Sequence, residues 1–199
     1  MEDINQQCPF VEFSRGLLEN TELAKPIYHL QHDSGFNINL IFYLLWFAKA
    51  CFGRLKKRNV KILQSQIVLW HQRVIAELKY TYALVAEQTD SIALQIKQAL
   101  QEEILRAYVI EQHMLYESRL KTNLLRRSLP QQLMDACVSM THYCELKNDL
   151  LIEDDQNAFI KLSSVVFNTV PQSDIEKQVL LAFSRFKSDR SSQLMWSEL

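Results

Sequence analysis

Residues 38–52 read INLIFYLLWFAKACF, and Asn39 and Lys49 are the strongly polar side chains in this stretch. As a helix the stretch is apolar on nearly every side, so other helices must surround it. It is shorter than the about 20 residues that a membrane-spanning helix needs. Asn37 can cap its start and Gly53 can end it. The stretch therefore predicts a buried helix at the centre of the core.

Turn-forming residues are scarce along the whole chain. The 199 residues include 3 Gly and 4 Pro, whereas the helix-favouring residues Leu, Gln, Glu, Lys and Ala are abundant. A chain so poor in turn formers is hard to divide into many short strands. We therefore predict an all-α fold, an irregular helical bundle around the central helix at about residues 38–52. A globule of this length buries roughly 70% of its unfolded surface, so we expect it to fold without a metal or a disulfide.

The spacing of the apolar residues predicts helices on both sides of the central one. They are expected at about residues 9–19, 21–33, 60–85, 91–114, 130–148, 155–167 and 173–187. The third of these is either one long helix or two joined near Trp70. It should lie antiparallel to the helix that starts at Asp90 or Ser91. Residues 1–120 are predicted to form a helical core domain, and residues 121–199 a C-terminal helical extension packed on it as one unit.

The charge distribution gives expectations about location and partners. The N-terminus Met1–Asn5 is acidic and polar, unlike a secretory signal or a transit peptide, so we predict a cytoplasmic protein. The net charge of -1 gives no overall attraction to nucleic acid or anionic lipid. The basic cluster between Arg54 and Lys61 is interpreted as a solvated turn, and nucleic-acid binding through it ranks last among the hypotheses. We predict no nucleic-acid partner and no direct membrane insertion.

No motif in the sequence carries a recognisable chemistry. Glycine-rich phosphate loops and nucleophile elbows are absent, and the 4 cysteines show no C-x-x-C spacing. His113 and Glu117 are spaced to share a metal on one helix face, but no third or fourth ligand accompanies them. The acidic runs Glu102-Glu103 and Glu153–Asp155 are interpreted as solvated helix surface or as charges at a helix start. We predict no catalytic residue, no cofactor site, no metal site and hence no enzyme.

Two functional hypotheses follow. The first is a non-enzymatic adaptor or chaperone-like subunit that binds a protein partner through apolar residues of the C-terminal helices and tail. The predicted partner-binding residues are Phe159, Leu162, Val166, Leu180, Phe183 and Trp196. The alternative is a small-molecule-binding or metal-binding helical enzyme with a site between helices. Its lining would be Glu103, Arg106, His113 and Glu117.

Two motifs resemble an uncharacterised family of short helical proteobacterial proteins. Pro-Phe-x-x-Phe-Ser stands at residues 9–14, and Asn-Leu-x-Phe-x-x-Leu-Trp at residues 39–46. The similar region covers about residues 9–117. Val11 replaces a Trp of the family pattern and Ile38 replaces a Val, which indicates a divergent member. The resemblance implies a helical fold and brings no catalytic residues with it.

A second resemblance concerns the partner. The chain length, the Gln- and Leu-rich composition and the helices expected after Leu120 are similar to a virulence-associated type of adaptor in type IV secretion coupling complexes. This resemblance implies a protein that binds partner subunits and helps to present effector proteins. Secretion coupling-complex subunits are therefore the partners that it implies.

Overall fold

The computed structural model describes residues 8–118, 123–147 and 151–184, and within these ranges the chain is helical without a β-strand. The helices are α1 (Pro9–Leu18), α2 (Ala24–Tyr28), α3 (Ile38–Lys49), α4 (Lys57–Trp70), α5 (Ala76–Ala86), α6 (Ser91–Glu117), α7 (Leu129–Lys147), α8 (Glu153–Val166) and α9 (Gln172–Phe183). The prediction of an all-α fold is confirmed.

Short turns of other helix types extend or join these helices. A 3-10 turn, Thr21–Leu23, precedes α2, and a π-helical turn, His29–Asp33, follows it. A second π-helical turn, His71–Ile75, joins α4 to α5 without a break. The long segment around Trp70 is therefore one helix with a π-helical turn inside it. Such turns occur frequently at functional sites, which directs attention to the side chains they carry.

Helix α3 is the most deeply buried element. Every side chain from Ile38 to Ala48 is buried, and α1, α6, α7 and α8 contact the helix. The Asn37 side chain caps its start by accepting the Leu40 N–H at 2.9 Å, as the sequence predicts. No helix among the described residues combines the length and the apolar character needed to cross a bilayer.

The chain leaves α3 through a tight turn. The helix ends at Lys49, earlier than the predicted 38–52, because Cys51 and Gly53 both adopt positive φ angles, 63° and 83°. Gly53 suits this position because its φ of 83° is one that other residues rarely adopt. Cys51 O also accepts the Leu125 N–H at 2.8 Å, which holds the segment before α7 against this turn.

The C-terminal helices share the core of the N-terminal ones. Helix α7 packs on α3 and α4, whereas α8 and α9 pack on each other, α8 also on α2 and α9 also on α7. The rings of Phe159 and Phe183 stack with their centroids 4.9 Å apart. A single cluster of buried apolar side chains extends from α1 through α3 to α9. The described part of the C-terminal region, residues 123–147 and 151–184, thus contributes to the same core.

This packing corrects the expected exposure of four predicted partner-binding residues. The four are buried because α7, α8 and α9 cover one another's apolar faces. They are Phe159, Leu162, Val166 and Phe183. Leu180 remains 39% exposed, and Trp196 lies outside the described residues. Spacing along the sequence locates an apolar face, but only the tertiary packing shows whether the chain itself covers that face.

The helices α5 and α6 form an antiparallel hairpin. Helix α5 packs mainly on α6, and none of its side chains is fully buried. The Asp90 side chain caps α6 by accepting the N–H groups of Ile92 and Ala93 at 3.0 and 2.9 Å. We call α5 together with residues 91–105 of α6 the hairpin arm. Large apolar side chains are exposed along it, namely Tyr80, Leu84, Ile92, Leu94, Ile96 and Leu105.

Two helices begin earlier than the sequence predicts. Helix α4 begins at Lys57 without a side-chain cap, whereas the expected start was about residue 60. Helix α9 begins at Gln172, one residue before the expected start. Gln172 Nε2 donates a hydrogen bond to Glu176 Oε1 at 2.8 Å in its first turn. Both differences concern helix ends, which short local contacts decide.

Truncation of Leu44 to Ala should lower the free energy of unfolding by about 2–5 kcal/mol, because this fully buried side chain of α3 would leave a cavity. The same truncation at Leu84, which is 60% exposed on the hairpin arm, should cost at most about 0.5 kcal/mol. Urea unfolding followed by circular dichroism measures both. Equal losses in the two variants would contradict the central position of α3.

Candidate functional site

A buried carboxylate lies between α3, α6 and the second π-helical turn. Glu111 of α6 is 0% exposed. Its carboxylate accepts hydrogen bonds from Asn39 Nδ2 at 2.7 Å, from Asn37 Nδ2 at 3.1 Å and from His71 Nδ1 at 2.9 Å. A buried carboxylate is costly unless donors surround it, and these three side chains provide them. We call this set, with Gln112, the Glu111 network.

Two members of the Glu111 network, Asn37 and His71, are placed by a helix start and a turn. Asn37 is the N-cap of α3, and its backbone N–H donates to Tyr143 Oη at 2.9 Å. His71 opens the second π-helical turn, directly after Trp70, whose Nε1 donates to the Ala107 carbonyl at 2.9 Å. The network therefore joins α3, α6, α7 and the second π-helical turn at one point.

An open cleft lies beside the Glu111 network, between α1 and α6. Its volume is about 310 Å³, which is at the lower end of the range for small-molecule sites. Its lining residues are Val11, Arg15 and Leu18 of α1, Gln31 of the first π-helical turn, Ile38 and Asn39 of α3, and Leu105, Tyr108, Val109 and Gln112 of α6. The cleft meets the network through Asn39 and Gln112, because Gln112 Nε2 donates to Asn39 Oδ1 at 2.9 Å.

Tyr108 provides a hydrogen-bond donor inside the cleft. Its hydroxyl oxygen accepts a hydrogen bond from Gln31 Nε2, so the hydroxyl proton is left for another acceptor. Burial raises the pKa of Tyr108, and the nearby negative charge of Glu111 adds to this effect. The phenol is therefore protonated, and a donor, at neutral pH.

Two cations contribute positive charge to this region. Arg15 lines the cleft, and Lys79 Nζ of α5 lies 5.3 Å from the centroid of the Tyr108 ring. Burial lowers the pKa of Lys79, while the attraction of Glu111 opposes that shift. The lining residues include no Asp or Glu, so positive charge predominates where the cleft opens.

A second polar cluster joins the first π-helical turn to α8. His29 Nε2 lies 2.9 Å from Asp155 Oδ1, and His29 Nδ1 lies 3.0 Å from Asp33 Oδ2. Burial alone would lower the pKa of His29, but the hydrogen bonds and charges of the two carboxylates outweigh it and raise the pKa. Asp155 also accepts hydrogen bonds from Ser34 Oγ and, at 3.0 Å, from the Ile152 N–H. This cluster fastens the start of α8 to the body.

The acidic run Glu153–Asp155 forms the first turn of α8, as expected for charges at a helix start, but Asp155 is not solvated. Glu153 and Asp154 are exposed, but Asp155 is buried because it turns inward from the first turn of α8 toward His29. The run Glu102-Glu103 is exposed, as expected. The sequence alone offered no signal that separated the third carboxylate of the run from the first two.

The residues proposed for an enzymatic site are not brought together. Glu103 and Arg106 form an exposed ion pair at 2.7 Å, Glu117 is exposed, and His113 is half-buried. The cleft is lined by other residues of the same helix. Across the described ranges, no three His, Cys, Asp or Glu side chains are grouped so that they could hold a metal ion.

Cys137 is buried in the core, and two cations of the basic cluster lie near carboxylates of α7. Cys137 is buried, which raises the pKa of its thiol to about 12, so it packs as a small apolar group. In the basic cluster, Lys57 Nζ lies 3.1 Å from Glu145 Oε2, and Arg54 Nε lies 4.0 Å from Asp135 Oδ1. These two cations thus face carboxylates of α7.

The comparisons with known proteins add no relative. No known protein family, curated protein or solved structure matches this chain. Its own surfaces and contacts therefore carry the functional assignment.

Replacement of Glu111 by Gln should lower the free energy of unfolding by about 3 kcal/mol, because an amide nitrogen would face the donors that now surround the carboxylate. Glu103→Gln on the same helix should cost at most about 1 kcal/mol, since its ion pair with Arg106 is exposed. Urea unfolding compares the two. Similar losses in the two variants would show that the Glu111 network does not stabilise the fold as described.

The raised pKa of His29 predicts a pH dependence of stability. A histidine whose pKa is raised by folding stabilises the fold fully below its unfolded pKa of about 6.5, and this contribution disappears as the pH rises through the folded pKa. The difference in melting temperature between the native protein and His29→Gln should therefore be larger at pH 5.5 than at pH 8.5. A difference that stays constant, or grows with pH, would refute the pairing.

Proposed function

We propose that this chain is a non-enzymatic protein-interaction adaptor or chaperone-like subunit, and that the hairpin arm is the surface that holds its partner. The observation that carries this proposal is the number of large apolar side chains exposed on one helical hairpin. Large amounts of exposed apolar surface commonly mark a site of protein association. Single exposed leucines need no explanation, but six such residues on two adjacent helices do.

The packing of the arm supports the same reading. In a two-helix hairpin each helix buries only one stripe of its side chains against the other helix. A third helix, from a partner, can bury the remaining apolar side chains. The less exposed side chains of α6 recur at spacings of three and four residues, as in a coiled coil. They include Ala93, Lys97, Leu100, Ile104 and Ala107, of which Ala93 and Ala107 are buried and the other three are half-buried. An amphipathic helix laid along the arm would bury the remaining apolar area.

The class of partner is proposed from the resemblance to adaptors of type IV secretion coupling complexes. A subunit of such a complex, or an effector protein that it recruits, fits a surface made of exposed apolar side chains on rigid helices. Leu180, which is 39% exposed on α9, remains a candidate for a second contact. No nucleic-acid partner is proposed, because the basic cluster is partly occupied by the carboxylates Glu145 and Asp135.

The double variant Leu84→Glu with Ile92→Glu tests the proposal, because it places two charges near the tip of the arm, where no packing within the chain is lost. Affinity-tagged native protein, purified from its own cells, should bring a protein partner at a stoichiometric ratio. The double variant should recover that partner at one tenth of the native amount or less, as judged by quantitative mass spectrometry.

Leu181→Glu is the matched control, since Leu181 of α9 is 67% exposed and lies outside the arm. It should recover the partner at the native level. A native protein that purifies without a stoichiometric partner, or a double variant that retains the partner, would overturn the proposal. Circular dichroism of all three proteins verifies that each is folded.

A further inference from the structure

The cleft between α1 and α6 meets the hairpin arm at Leu105, but unlike the arm it combines apolar walls with charged and polar side chains. We propose that it binds a small monocarboxylate with an unbranched apolar tail, the tail lying between α1 and α6 and the carboxylate meeting Arg15 and Tyr108. This inference does not depend on the proposed protein partner. It rests on the walls, the charge and the size of the cleft.

The walls favour an apolar tail. Five apolar side chains line the cleft, from three helices. They are Val11, Leu18, Ile38, Leu105 and Val109. Leu18 and Leu105 are 51% and 64% exposed, so a ligand between them would remove apolar surface from water on both sides of the opening. Ligand sites commonly combine such walls with a small number of polar groups that fix the orientation.

The charge favours an anion at one end of the ligand. Arg15 is the charged residue among those that line the cleft, and no carboxylate of the described residues pairs with it. Glu12 and Glu19, one turn away on α1, are not within ion-pair distance of its guanidinium. An arginine presents several N–H donors in one plane, which matches the two oxygens of a carboxylate.

Tyr108 completes the polar end of the site. Its oxygen already accepts from Gln31, so its own proton can be donated to a carboxylate oxygen. Lys79 beside the Tyr108 ring adds positive charge nearby. The opposing charge in this region is Glu111, whose carboxylate already has hydrogen-bond partners in Asn37, Asn39 and His71.

The volume favours a short tail. About 310 Å³ is at the lower end of the range for small-molecule sites, which disfavours a long-chain acid. An eight-carbon monocarboxylate is a compact ligand with both a tail and a charged end. Octanoate is therefore the probe of choice, with octanol as the uncharged analogue of the same length and acetate as the charged analogue without a tail.

Isothermal titration calorimetry of the full chain with these three compounds tests the proposal. Octanoate should bind saturably at one site, and both octanol and acetate at least about tenfold more weakly. Arg15→Gln should weaken octanoate binding about tenfold or more, since a hydrogen bond between charged groups is lost. Leu18→Glu should weaken it similarly, because it places a like charge at the opening.

Two variants serve as controls for these effects. Arg106→Gln removes a cation of α6 that does not line the cleft, and Leu181→Glu adds a charge at an exposed leucine of α9 away from it. Both should bind octanoate as the native chain does. The proposal is overturned if octanoate shows no saturable binding, if octanol binds as tightly, or if Arg15→Gln binds like the native protein while remaining folded by circular dichroism.

Discussion

The burial of Glu111 is the constraint on which the arrangement of the helices depends. A carboxylate that is removed from water must be surrounded by hydrogen-bond donors, and the loss of one donor would leave an unsatisfied charge in the core. The donors come from the start of α3 and from the second π-helical turn, which are 74 and 40 residues away from Glu111 along the chain. Apolar packing alone would let α6 slide along α3. These directional hydrogen bonds fix the position of α6 along α3.

The same constraint explains why the cleft has its shape. Asn39 donates a hydrogen bond to Glu111 and accepts one from Gln112. The side-chain amides of Asn39 and Gln112 are therefore held in place and do not fill the space between α1 and α6. Tyr108 is held by Gln31 in a similar way. The polar groups at the inner wall of the cleft are thus fixed by partners in the body. A ligand would meet a site that is already organised.

The sequence predicted the fold class and the buried helix because both depend on local properties: few turn formers, and apolar residues on every side of 38–52. It did not predict the Glu111 network. Asn37 and Asn39 were visible as polar residues at the start of an apolar helix, but their partner lies on a helix 72 or more residues later. A clue was available in α6, where Glu111 interrupts the apolar stripe between Ala107 and Met114. Whether the C-terminal apolar residues are exposed likewise depends on tertiary packing, which the spacing of apolar residues along the sequence does not show.

The π-helical turn at His71–Ile75 sets the rotation of α5 relative to α4. In a regular α-helix each residue adds about 100° of rotation, and a π-helical turn accommodates one residue more than an α-helical turn would over the same rise. Before the turn α4 packs on α7 and α6, and after it α5 packs mainly on α6. A regular α-helix through the same residues would no longer absorb the extra residue within one turn, and would rotate the whole of α5 by about 100° relative to α4. The direction in which the hairpin arm presents its exposed side chains therefore depends on the turn at its base.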